Sequence, residues 1–514
     1  MKTISRQPVS VRSRHGVLLG LALLALAHGS PALAQPTNFA KSLPELRAQL
    51  DALLAQPRFS GALWGVKIVS LTTGKLVYEN HADRLMSPAS NSKLYTGALA
   101  LDTFGGDYRF ATPLMATARP DKSGVLRGDL IVSGRGDPSW KSENFAGIFA
   151  PFIAILTNAG VRRITGDLVA DTTFFQGPPT GGSWCVDDLD DSDGAEISAL
   201  TLDDNVAQVR VTPGLRISAP CHLALSPPDT GISLVNRIRT IPGGSARHLE
   251  FHIPLGTATV YVFGELPADD PGETLDVPVP QPAAWFGRGL KNALARSGIP
   301  VWGRTRTVSW PEIPFRGQTG LVKLGEVKSP PLREIMRAFM KPSQNLEADL
   351  VFDHTGEMLR PVNAPIWLTS EQSAVAALER FAAKNGLPAE VHFDEGSGLS
   401  RNNLTSANAT VALLTLMATN RWAEDFVQSL PVAGVDGTLR RRMKNTPAWQ
   451  NVHAKTGTLR WANSLSGYVT TAAGERLAFS LFLNRYDSPP GRRRTRELDD
   501  LAVLLAGFSG RTDE

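Results

Sequence analysis

The chain has 514 residues, with 53 Lys and Arg against 49 Asp and Glu and a formal charge of +4. Lys2, Arg6, Arg12 and Arg14 precede the first apolar run with no acid among them, so the rest of the chain is near neutral and lacks the basic footprint by which a nucleic-acid binder displaces phosphate counterions. The nine histidines are scattered, the nearest pair (His248, His252) lies on an alternating, strand-like stretch, and neither cysteine has zinc-site spacing, so no metal is expected.

Residues 1–34 read as an export signal: the four cations, the apolar run Gly16 to Ala27, then Ala32-Leu33-Ala34 before Gln35. A run of about 12 residues is too short for a hydrocarbon core of roughly 30 Å. The expectation is a periplasmic product with no transmembrane anchor. What remains exceeds a single core and implies two or three domains.

Trp64 to Leu71 and Lys75 to Asn80 are strand candidates joined by Thr72-Thr73-Gly74. After Pro88, the run Ser90 to Leu101 reads as a helix whose first turn holds Ser90 and Lys93. From Tyr108 to Trp310 short β-like runs such as Leu130-Ile131-Val132 and Val260 to Phe263 sit among Gly, Pro and Asp turns, and one helix candidate, Ala283 to Ser297, closes the stretch. Export puts Cys185 and Cys221 in an oxidising compartment, which favours a disulfide between them over two buried thiols. Beyond Leu332 helical periodicity returns, followed by strands at His453 to Leu459, Ser464 to Thr470 and Arg476 to Asn484. Arg492-Arg493-Arg494 next to Leu498, Leu501 and Leu505 fits a terminal helix packed on a sheet better than a membrane-surface helix.

Three short elements carry chemistry. Ser90 and Lys93, three apart on a helix, share a face, so the amine can reach the hydroxyl; taken alone, Ser90 is better explained as a helix cap. Ser-x-Asn occurs at Ser142-Glu143-Asn144, Ser343-Gln344-Asn345 and Ser406-Ala407-Asn408, and only Ser343 has the right order and context, the other two reading as loops or caps. Lys455-Thr456-Gly457 lies in a strand candidate, where the glycine leaves room for a ligand backbone, the lysine offers charge to a carboxylate and the threonine offers a hydroxyl. Each is weak by itself, but their order is the signature of penicillin-recognising serine enzymes.

With Pro88-Ala89-Ser90, Gly134-Arg135-Gly136-Asp137-Pro138, Ile164-Thr165-Gly166-Asp167, Ser198 to Asn205, Gly396-Ser397-Gly398-Leu399-Ser400-Arg401 and Ala454 to Leu459, the chain resembles the class C low-molecular-mass penicillin-binding proteins, the penicillin-binding protein 4 type of D-alanyl-D-alanine carboxypeptidase/endopeptidase. One departure is Gln344, where the family often has Asp. The resemblance implies an α/β transpeptidase-like domain with an antiparallel sheet and flanking helices from residues 37–106 and 320–514, interrupted by inserted β-rich material at 107–319. It implies a serine DD-peptidase acting on peptidoglycan stem peptides, acylated by β-lactam antibiotics and needing no cofactor.

By the same resemblance Ser90 is the nucleophile, Lys93 its base, lowered in pKa by burial and by Lys455, and Ser343 a proton relay. Asn345 would hold Lys93 and the substrate amide, and Lys455 with Thr456 the terminal carboxylate. Gly457 would leave space for the substrate backbone, and the N–H groups of Ser90 and Thr458 would form the oxyanion hole. Asp171, with Phe174 and Phe175 beside it, stands where the family reaches peptide side chains, although burial in a strand explains the two Phe better. A β-lactamase would share all three motifs, but the large insertion favours a peptidase. A non-catalytic cell-wall peptide binder would have lost motif residues that are all present here.

Overall fold

The computed structural model describes residues 38–141, 145–312, 320–489 and 492–513. The expected export signal and Ser142-Glu143-Asn144 lie outside the described residues. Five antiparallel strands form the first sheet: β1 (Leu63–Ser70), β2 (Leu76–Asn80), β3 (His453–Leu459), β4 (Ala462–Thr470) and β5 (Arg476–Asn484), in the order β3-β4-β5-β1-β2. All five fall within two residues of the sequence expectation. In β5 the run Leu477 to Asn484 is buried throughout, because helices cover both faces of the sheet and leave no solvent side to alternate with.

Helix Leu43–Leu54, capped by Ser42 accepting from the Glu45 N–H at 3.4 Å, and the terminal helix Arg496–Gly507 cover one face. Leu46, Leu50, Leu498, Leu501 and Leu505 are fully buried there. The terminal leucines therefore pack on protein, and Arg492 is paired with Glu497 and Asp500. Among the described residues no helix is long and apolar enough to cross a membrane. The other face carries α1 (Ser92–Phe104), α2 (Leu332–Met340), α3 (Asn345–Met358) and α4 (Ala407–Thr419). On α2 the buried positions Leu332, Ile335, Met336, Phe339 and Met340 recur at helical spacing, each worth about 1.5–3 kcal/mol of apolar burial.

The segment between α1 and α2 builds a second five-stranded sheet from Thr305–Val308, Leu168–Asp171, Leu130–Ser133, Ala111–Ala116 and Val322–Lys328, in that order. Two three-stranded sheets drawn from residues 206–278 share a separate core around Val209, Val211, Ile238, Val260 and Val262. Besides the expected helix, found at Pro282–Arg296, there is one at Ala150–Asn158 that the sequence reading missed. Its Pro, Ile and Phe content reads as non-helical, yet a proline in the first turn removes only an N–H that has no helical partner.

Cys185 and Cys221 are free, contrary to the expected disulfide. Cys221 lies in the core of the three-stranded sheets with its Sγ 3.6 Å from Thr240 Oγ1, whereas Cys185 opens a single turn, Val186–Asp188, in a separate loop.

Candidate active site

Ser90 does not sit in the first turn of α1 but in a preceding 3-10 turn, Ala89–Asn91, entered through Ala89 at φ 48°. A positive φ at a residue with a Cβ is strained and persists only where the surroundings over-determine it. Here they do: Ser464 Oγ donates to Pro88 O at 2.6 Å, and Asn91 Nδ2 donates to Ser466 Oγ at 2.8 Å, both from β4. Two glycines close on the Ser90 N–H from either side. A Cβ on Gly457 would come within 3.0 Å of Ser90 N, and one on Gly398, at φ 90°, within 2.9 Å.

Lys93, fully buried in the first turn of α1, donates from Nζ to Ser90 Oγ at 3.1 Å, Asn345 Oδ1 at 2.7 Å and Ser397 O at 2.6 Å. Ser343, also at positive φ (75°), and Asn345 flank the start of α3. Lys455 Nζ donates to Ser343 Oγ at 2.7 Å and to Thr456 O at 2.9 Å, and Thr456 Oγ1 donates to Thr438 Oγ1 at 2.8 Å. Ser90, Ser343, Asn345, Thr456 and Thr458 line one cleft of about 230 Å³, together with Asp193, Thr438 and Leu399. The three motifs thus converge from segments some 250 and 110 residues apart.

Burial pushes the Lys93 amine down to about 8, against the opposing pull of Asp349, Glu395, Asp193 and Glu347. Burial, not Lys455, is the cause; the repulsion registers on the partner, since Lys455 is held well below the usual lysine range by burial and then by the charge of Lys93. A dry lysine of this kind regains its proton most readily when an anion arrives beside it.

Asp171 does not line the cleft. It is 1 % exposed, and its carboxylate accepts from Ser133 Oγ at 3.1 Å, Thr173 N at 3.0 Å and Thr173 Oγ1 at 2.6 Å, a role in holding strand ends together. Phe174 and Phe175 are buried with Leu346 and Leu350. Ser406 is a helix cap, accepting from Ala409 N at 2.9 Å. Gln344 turns away from the cleft and donates to Asp204 Oδ2 at 3.1 Å, where it lines an adjoining groove of about 530 Å³.

Sequence reasoning missed Asp193, whose backbone O accepts from Asn345 Nδ2 at 3.1 Å, and the Ser397 carbonyl on Lys93. Gly396-Ser397-Gly398 was the available signal for the latter. Asp193 lies in an Asp- and Ser-rich run that reads as solvated loop.

The profile of the D-Ala-D-Ala carboxypeptidase 3 (S13) family matches residues 46–504. The D-alanyl-D-alanine carboxypeptidase of Actinomadura sp. (strain R39) is 35 % identical over 99 % of this chain and 95 % of its own length. The D-alanyl-D-alanine carboxypeptidase DacB of Haemophilus influenzae is 26 % identical over 93 % of this chain and 94 % of its own. The crystal structure of penicillin-binding protein 4 (dacB) from Haemophilus influenzae superposes with a TM-score of 0.76 at 25 % identity, covering 89 % of this chain and 98 % of that one.

Proposed function

The chain belongs to the S13 family of D-Ala-D-Ala carboxypeptidases, and from that premise we propose how its own residues carry out the reaction. It is a penicillin-binding serine peptidase of peptidoglycan. Ser90 Oγ attacks the carbonyl of the penultimate D-Ala and passes its proton to neutral Lys93; the C–N bond then breaks as Ser343 relays that proton from Lys93 to the leaving amine, which leaves both Lys93 neutral and the Ser343 hydroxyl intact. Water attacks the resulting ester and regenerates the hydroxyl. Lys455, Thr456 and Thr438 hold the terminal carboxylate, Asn345 holds Lys93 and the substrate amide, and the N–H groups of Ser90 and Thr458 receive the oxyanion. The observation that carries this reading is the chain of contacts from Ser90 Oγ to Lys93 Nζ to Asn345 Oδ1, beside Lys455 Nζ on Ser343 Oγ, all opening on one cleft.

Residues 1–34 act as the export signal and the protein works in the periplasm. Residues 37–106 and 329–514 form the catalytic domain, with 107–328 inserted: the expected boundary at 320 moves because Val322–Lys328 pairs with Ala111–Ala116 in the inserted sheet. The insertion gathers binding energy from the stem peptide remote from the scissile bond, which favours large substrates over small ones. The test uses one preparation: release of D-Ala and loss of cross-links from muropeptides, alongside turnover of labelled penicillin. Rapid muropeptide cleavage with slow penicilloate release, and no covalent penicillin on Ser90→Ala by intact mass, is the expected result. Fast penicillin turnover without muropeptide cleavage would make the protein a β-lactamase.

A further inference from the structure

Behind Lys93 a buried carboxylate gathers an unusual number of donors. Glu395 is 1 % exposed, and its Oε1 accepts from Gly398 N at 2.7 Å, Asn403 Nδ2 at 2.7 Å and Ser400 N at 3.4 Å. Its Oε2 accepts from Ser397 N at 2.9 Å and from Ser397 Oγ. These bonds fold residues 395–400 into a tight turn with two outputs toward the reacting centre. The Ser397 carbonyl receives Lys93 Nζ, and Gly398 is pressed against Ala89 and the Ser90 N–H. Asp349 of α3 backs the same turn: its Oδ1 accepts from Gly396 N at 3.0 Å, and its carboxyl shares a side-chain hydrogen bond with Glu395.

Two buried carboxyls that face each other cannot both ionise cheaply, and the one better supplied with donors keeps the charge. Five donors converge on Glu395 and one on Asp349. The other charged groups around Lys93 are Glu347 on α3, which is paired with Lys141, Asp193 at the cleft edge, and Lys455 on β3. Asp353 acts electrostatically on both carboxyls of the pair and Glu371 on Glu395.

We propose that Glu395 is a positioning residue for acylation: it carries the negative charge that balances the ammonium form of Lys93 and holds the Ser397 carbonyl on it, with Asp349 as its neutral partner. This rests on Lys93 being the base for Ser90. Removing the charge makes Lys93 easier to deprotonate, so the acid limb of the acylation profile moves to lower pH. Removing the acceptor geometry loosens the turn, so the plateau rate falls.

The test measures acylation of the full chain by a fluorescent penicillin across pH 6–10 for the wild type, Glu395→Gln, Glu395→Asp and Asp349→Asn. In Glu395→Gln the midpoint should fall by about one unit or more, and the plateau about tenfold, because an amide turns an N–H toward N–H donors. Glu395→Asp should keep the wild-type midpoint at a reduced rate, and Asp349→Asn, an isostere of the neutral acid, should leave the midpoint in place. An unmoved midpoint in Glu395→Gln, a lowered one in Glu395→Asp, or a shift in Asp349→Asn overturns the proposal. If Glu395→Gln does not fold, the other two variants decide by the same criteria. A wild type that labels with no pH-dependent limb removes Lys93 as the base and this proposal with it, whereas a normal wild-type limb that Glu395→Gln leaves unmoved removes the proposal alone.

Discussion

Acylation of Ser90 is expected to rise with pH through a midpoint near 8, because Lys93 accepts a proton only when neutral and burial holds its amine at about 8. At pH 7 about one molecule in eleven then has Lys93 neutral, a cost of about 1.4 kcal/mol. A lysine at the ordinary 10.5 would be neutral in about one molecule in 3,000, at about 5 kcal/mol. Burial therefore removes roughly 3 kcal/mol from the barrier, partly offset by the weaker basicity of the buried amine. The second-order acylation constant for a fluorescent penicillin should rise about tenfold between pH 7 and pH 9 and then level off. Lys93→Ala should lose the limb and, as is typical for a general base, a hundredfold to ten-thousandfold in rate. A wild-type profile flat from pH 6 to 10, or one still climbing steeply above pH 9.5, would refute the assignment of Lys93 as a buried base.

Thiol titration of the denatured, unreduced protein should find two free thiols, and a reductant should leave the melting temperature unchanged, because Cys185 and Cys221 are unpaired; a reductant-dependent melt would contradict this. Gly398→Ala should cut penicillin labelling tenfold or more while the protein still folds, since a Cβ there at φ 90° meets the Ser90 N–H and strains the turn by about 1–3 kcal/mol; wild-type labelling would refute it. His354 donates from Nδ1 to Arg135 O and accepts from the Tyr108 hydroxyl, each at 2.7 Å, and burial lowers it from 6.5 to about 4. The unfolded chain thus takes up a proton that the folded chain refuses, so this contribution to stability is present above pH 6.5 and is lost as pH falls toward 4, by about 3 kcal/mol. Denaturant titrations at the two pH values should show that loss in the wild type relative to His354→Asn, and equal pH dependence in both would exclude it.

How much of this was legible depends on whether the chemistry resides in a side chain. That Ser90, Lys93, Ser343, Asn345 and Lys455 come together could be anticipated because their three motifs stand in a recognisable order, and the strands of the sheet they meet on could be read because their apolar runs are uninterrupted. The Ser397 carbonyl on Lys93 could not, since every residue has a carbonyl and only the turn built by Glu395 aims this one. Asp171 was misplaced because a carboxylate quenched by Ser133 and Thr173 is indistinguishable in sequence from one free to meet a ligand. The expected disulfide failed because compartment and parity of cysteines do not encode whether two loops meet.

Asp193 is the most instructive omission. It belongs to the segment inserted between the two halves of the catalytic sheet, yet its backbone oxygen receives Asn345 Nδ2 and its side chain lines the same cleft as Ser90. Asn345 is thereby fixed from both ends, by Lys93 through Oδ1 and by the insertion through Nδ2. An amide held at both ends cannot rotate without breaking one bond, so the orientation that presents its oxygen to Lys93 is set in part by a loop outside the catalytic motifs. It follows that the cleft is not complete within the sequences flanking the insertion: the inserted segment supplies part of its wall and part of its alignment.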